Sequence, residues 1–214
     1  MEYKEICDEV LQLRNRIVGL ERSLETYKLK PLLEQCVALI EQADADTSAR
    51  QIDRLDVYTM VAEGYAMSGR MALAVEYYQK AIVIAQKQID AGRGYPLLQD
   101  LYESMIDQRV QLDGGDCQDL AEPMRRYLGR DSEDIRMQAV SYGHTAPKHD
   151  PVEGTAGYLD IIDQMEEKVA ARLAKQPKDI DYAPKYWAAK KAILKDEYGI
   201  DWQSPAELNP DLAI

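Results

Sequence analysis

The sequence predicts an all-α fold built from antiparallel helical hairpins, a short α-solenoid with extra helices at its N- and C-terminal ends. Three observations carry that prediction. Apolar residues recur at steps of three and four through most of the chain, the period of a buried helix face. Glycine, proline and cap-forming residues interrupt the pattern at short intervals, which separates the helices and joins them by short turns. Nowhere do apolar and polar residues alternate as they do in a half-buried strand.

The first helix begins at Tyr3, where Tyr3, Ile6, Val10, Leu13, Ile17, Leu20, Leu24 and Tyr27 follow the spacing of an a/d seam. A helix of about 26 residues, roughly 39 Å long, is expected. Two readings of the Tyr3–Tyr27 seam stay open: pairing with itself in a homodimer, or packing against the next helix of the same chain. Pro31 suits the first turn of that second helix, whose Leu32, Leu33, Cys36, Val37, Leu39 and Ile40 form a broad apolar face. Asp44, Asp46 and Thr47 then interrupt the pattern and supply caps for a third helix that runs to about Ser68. Gly69 breaks it, and a fourth helix runs from about Met71 to Ile89. A fifth carries Leu97, Leu98, Leu101, Tyr102, Met105 and Ile106, and stops at Asp113-Gly114-Gly115-Asp116 before a short stretch from Leu120 to Leu128.

Residues 131 to 150 are polar and contain Gly143, Pro147, His144 and His149, the form of a loop or linker between a domain over 1–130 and a C-terminal helical segment over 151–214 that packs on it. Asp150-Pro151-Val152-Glu153 has the form of an N-cap, a first-turn proline and a capping-box glutamate, so a helix is expected to restart at Pro151. Another follows Pro184. Ser204-Pro205-Ala206-Glu207 repeats the start signal near the end of the chain, with Trp202 and Leu208 as apolar handles.

Residues 55 to 88 hold a more specific pattern. Tyr58 is followed by the aliphatic and small pair Val61 and Ala62, then by Tyr65, the turn residue Gly69, and Ala74, Tyr78 and Ala81. Small residues let two antiparallel helices cross closely, while large rings fill the layer between one hairpin and the next. This stretch resembles the tetratricopeptide repeat family, although Gln86 replaces the terminal proline and 97–128 matches only in outline. The resemblance implies a protein-protein interaction module whose first helix presents Asp56, Thr59, Glu63 and Ala66 to a peptide groove. Family members that hold an acidic carboxyl-terminal peptide use Lys and Asn, and Thr59 and Glu63 take those places here, which speaks against that role. An acidic surface of this kind suits a partner protein or peptide with basic or apolar residues; an acidic face that is merely solvated is the competing reading.

The formal net charge of -12 disfavours nucleic acid as a partner, since phosphate binding needs clustered Lys and Arg. The opening Met1-Glu2-Tyr3-Lys4-Glu5 is charged and no apolar run approaches the roughly 18 residues of a membrane span, so neither leader nor anchor is expected and a cytoplasmic location follows. Cys7, Cys36 and Cys117, odd in number and far apart, read as reduced thiols in helix packing. The chain has 14 Tyr and no Phe, a bias that favours large rings with a polar edge.

No glycine-rich phosphate loop, CxxC pair or catalytic motif is present, so no enzyme activity, cofactor or metal is expected. His144 and His149 beside Asp150 are the one cluster of acid–base type, and carry the alternative of a ligand-binding protein or enzyme using the 130–150 loop. Arg125, Arg126, Arg130 and Arg136 form a basic cluster that reads as paired with nearby carboxylates. The aromatic and lysine-rich run from Tyr186 to Pro205, with Trp187, Lys190, Lys191 and Trp202, reads either as an interaction surface or as a helix and tail whose rings pin them to the domain.

Overall fold

The computed structural model describes residues 2–23, 25–43, 48–113, 117–130 and 147–211. Among these the fold is all-α, with nine α-helices, three single 3-10 turns and no strand. The chain divides into two compact units, Met1–Ala146 and Pro147–Ile214.

In the first unit, α1 (Tyr3–Arg22), α2 (Lys30–Gln42), α3 (Ser48–Met67), α4 (Met71–Asp90), α5 (Leu98–Asp113) and the short α6 (Ala121–Leu128) follow one another. Each helix from α1 to α5 packs on the next, and their inward residues form one continuous core. α2 lies against both α1 and α3, and α4 against both α3 and α5.

The first helix is shorter than its apolar seam predicts. It ends at Arg22, Tyr27 falls in a separate 3-10 turn (Thr26–Lys28), and Leu24 lies outside the described residues. Ser23 accounts for the stop: its hydroxyl donates to the Leu20 carbonyl at 3.0 Å, a local bond that competes with the helical ladder. Ile6, Leu13 and Ile17 are buried within this unit's own core.

The hairpin of α3 and α4 is the tightest part. Gly69, at φ 73°, takes the left-handed conformation that closes a helix, and the Arg70 N–H returns to the Tyr65 carbonyl at 2.8 Å while the Gly69 N–H bonds Ala66 at 3.0 Å. Val61, Ala62, Ala74 and Ala81 are fully buried, and Tyr58, Tyr65 and Tyr78 lie among them. Tyr77 stacks between Tyr58 and Tyr65, with ring centroids 5.7 and 5.6 Å away. Small residues also set the fit of α3 to α2, because a Cβ on Gly64 would stand 2.8 Å from a methyl of the fully buried Leu33. Gln86, where the repeat pattern has proline, donates to the Tyr102 hydroxyl at 2.8 Å and so links α4 to α5.

The second unit is a hairpin of α7 (Ala156–Arg172) and α8 (Tyr182–Tyr198) with a one-turn α9 (Pro205–Leu208). Tyr158, Ile162, Met165 and Val169 of α7 meet Ala189, Ile193 and Leu194 of α8, and Trp202 closes the core. A continuous helix from Pro151 does not form. Pro151–Gly154 is a 3-10 turn, and α7 starts afresh after Thr155, whose side chain accepts from the Tyr158 N–H. The proline is indeed in the first turn, but Glu153 does not fold back on Asp150; its carboxylate is held elsewhere. The start signal at Ser204 and Glu207 is a complete capping box, with bonds of 3.2 and 2.8 Å between side chains and backbone. Residues 147 to 150, read from sequence as the end of a loop, are bonded into this unit: Asn209 holds both backbone groups of Lys148, and Asp150 accepts from Gln203 N–H at 2.7 Å.

Candidate interaction surface

The outward face of α3 is set by its period. Leu55, Tyr58, Val61, Ala62 and Tyr65 turn into the core, which leaves Ile52, Asp56, Thr59, Met60, Glu63 and Met67 along the opposite side. Asp56 and Glu63 are exposed, Thr59 and Met60 half-buried, and two large apolar side chains, Ile52 and Met67, are 41% and 48% exposed. Ala66 stands at the edge of this face and packs partly on the core. The structure therefore brings Asp56, Thr59 and Glu63 together on one face, as the repeat pattern implies, and adds Ile52, Met60 and Met67, whose 3–4 spacing was readable but was not singled out.

Neighbouring elements add mostly negative charge. Tyr3 of α1 donates to Asp53, and Arg50 lies 4.6 Å over the Tyr3 ring, so the start of α1 is tied to α3. Burial raises the Asp56 carboxyl above its ordinary range, nearby Asp53 raises it further, and Arg14 of α1 opposes them. Glu63 is raised in the same way, by burial first and then by Glu21, again against Arg14. On the other side the fields of Asp56 and Asp100 both reach Tyr95, and those of Glu63 and Asp107 both reach Tyr78. Two carboxylates thus sit on this face in surroundings that disfavour their charge.

The second unit hides a different cluster. Lys190 of α8 is buried, with its ammonium 3.8 Å from Glu153 and 3.7 Å from Glu166. It lies 4.8 Å from the Trp202 ring and within 5.8 Å of the Tyr158 and Tyr186 rings. Trp202 donates its indole N–H to Glu153 at 2.6 Å, Tyr186 donates to Glu166, and His149 Nδ1 is 3.3 Å from the other Glu153 oxygen. Burial raises the Glu153 carboxyl, yet His149, Lys190 and Trp202 together outweigh it and hold it below its ordinary range. Within the second unit Tyr186, Trp202 and Lys190 of the run from Tyr186 to Pro205 face inward and tie the tail to α7 and α8, while Lys191 pairs with Glu207 at the surface. The Glu153–Lys190–Glu166 link was not read from sequence, because the i,i+3 signal of a capping box masked the longer-range role of Glu153.

Of the two histidines, His149 belongs to this network and His144 lies outside the described residues. Arg126 pairs with Asp90 at 3.1 Å and Arg130 with Glu103 at 3.6 Å, in keeping with intramolecular pairing of the basic cluster; Arg136 lies outside the described residues. No group of three metal-ligating side chains occurs among the described residues. Among them, too, no helix is long and apolar enough to cross a membrane. Burial pushes the Cys36 thiol up to about 11, which suits an inert packing residue. Compared with protein-family models, curated proteins and solved structures, the chain matches none.

Proposed function

We propose that the chain is a protein-protein interaction module that holds a segment of a partner protein along the outward face of α3. The observation that carries this reading is the placement of two exposed carboxylates, Asp56 and Glu63, on one helical face with the exposed apolar side chains Ile52 and Met67. A face that is only solvated gains nothing from such an arrangement, since charge repulsion and apolar exposure both cost stability. The likeness of residues 55–88 to the tetratricopeptide repeat supports the same reading, because the first helix of each hairpin lines the groove in that family.

The test is affinity capture of native-lysate proteins by the purified chain, run beside an Asp56→Lys, Glu63→Lys variant whose helical content and melting temperature are checked. Capture that disappears with the charge reversal is the expected result. Capture that persists unchanged in a folded variant would move the binding surface away from α3, and absence of capture by either would remove the reading.

A further inference from the structure

The outward stripe of α3 has a register that specifies its occupant more narrowly. Ile52, Asp56, Glu63 and Met67 lie four, seven and four residues apart on one helical face, in the order apolar, acidic, acidic, apolar. At 1.5 Å per residue the two carboxylates are about 10.5 Å apart and the apolar ends about 22 Å apart. An extended strand rises about 3.3 Å per residue and alternates its faces, so groups 10.5 Å apart on it point to opposite sides. A second α-helix has the same rise and repeats its face at seven residues, so it meets all four positions at once.

We propose that the occupant is a basic amphipathic helix with two Lys or Arg residues seven apart and a large apolar residue four positions beyond each. The cations meet Asp56 and Glu63, and the apolar side chains cover Ile52 and Met67. Charge complementarity favours this partner: Asp56 and Glu63 are both exposed acids on one face, and beyond the effect of partial burial Asp53 adds negative field at Asp56 and Glu21 at Glu63, each opposed by Arg14. The four-seven-four spacing reads the same from either end, so it fixes register and leaves the direction of the bound helix open. This inference rests on the proposed function and concerns the same face.

The probe is a fluorescein-labelled peptide of Ala, Gln and Ser carrying the pattern Leu-x3-Lys-x6-Lys-x3-Leu. Its control has identical composition with the two lysines five residues apart. Fluorescence anisotropy against the full chain is expected to give at least about tenfold tighter binding for the matched register. Asp56→Asn with Glu63→Gln should reduce that binding by about tenfold, and raising salt should weaken it further. Equal binding of the two registers, binding indifferent to the double substitution, or no binding of either peptide overturns the proposal. The interaction-module reading survives that failure if lysate capture remains sensitive to Asp56→Lys, Glu63→Lys, so the two can be told apart.

Discussion

The buried Lys190 ammonium lies in the second unit among Glu153, Glu166 and three aromatic rings. Removing the ammonium alone leaves two buried carboxylates facing each other, so Lys190→Met is expected to cost about 3–5 kcal/mol in denaturant unfolding. Adding Glu153→Gln and Glu166→Gln should return a large part of that loss. Glu153 also sets an acid limit. Its folded pKa lies below the ordinary carboxylate value of about 4.3, so its contribution is complete above that pH and is lost as pH falls through the depressed folded value. Tryptophan fluorescence should therefore hold steady down to about pH 4 and change below it, and Glu153→Gln should flatten that dependence. The signs are opposite at Asp56 and Glu63: their raised pKa values mean that the folded state disfavours the charged form. Asp56→Asn with Glu63→Gln is expected to raise the melting temperature at pH 7 by a degree or two, roughly, given how exposed both groups are. The tyrosine bias has a residue-scale explanation as well. Tyr3, Tyr58, Tyr127 and Tyr186 each fill apolar space while donating to Asp53, Glu41, Asp90 and Glu166, a bond that phenylalanine lacks. That use of the ring edge is invisible in sequence because every one of these acceptors lies at least 17 positions away.

Helix α3 shows what was legible at the scale of one element. Its stop at Gly69, its inward Tyr58, Val61, Ala62 and Tyr65, and its outward Asp56, Thr59 and Glu63 all follow from a 3.6-residue period and one glycine, while the expected caps Asp44, Asp46 and Thr47 lie outside the described residues. Gly64 was not singled out, because its reason is the Leu33 side chain of another helix. Leu33 is fully buried and cannot swing aside freely, so Gly64→Val is expected to destabilise the first unit by about 1–3 kcal/mol despite valine's better helix propensity. A Leu33→Ala background should relieve most of that cost, a coupling that a double-mutant cycle reads directly. The same limit explains the shortened α1 and the delayed α7. In both, a short-range pattern continues through residues where a Ser or Thr hydroxyl bonds locally and ends or restarts the helix.

At the scale of the whole molecule there are two units with separate cores, one organised by small residues between helices and the other by a buried lysine. Lys190→Met should then reduce hydrogen-exchange protection in α7 and α8 and leave α2 to α4 protected. The division of labour is consistent with an interaction face on the first unit alone, and the central claim is that this face is the outward side of α3. A photo-reactive residue at Thr59, between the two carboxylates, tests it most directly against the same residue at Val83, an exposed site on α4. Incubation with native lysate followed by illumination should join a discrete partner at 59 and none at 83. Equal cross-linking at both positions, or none at 59 under conditions where the chain captures a partner, would contradict the account.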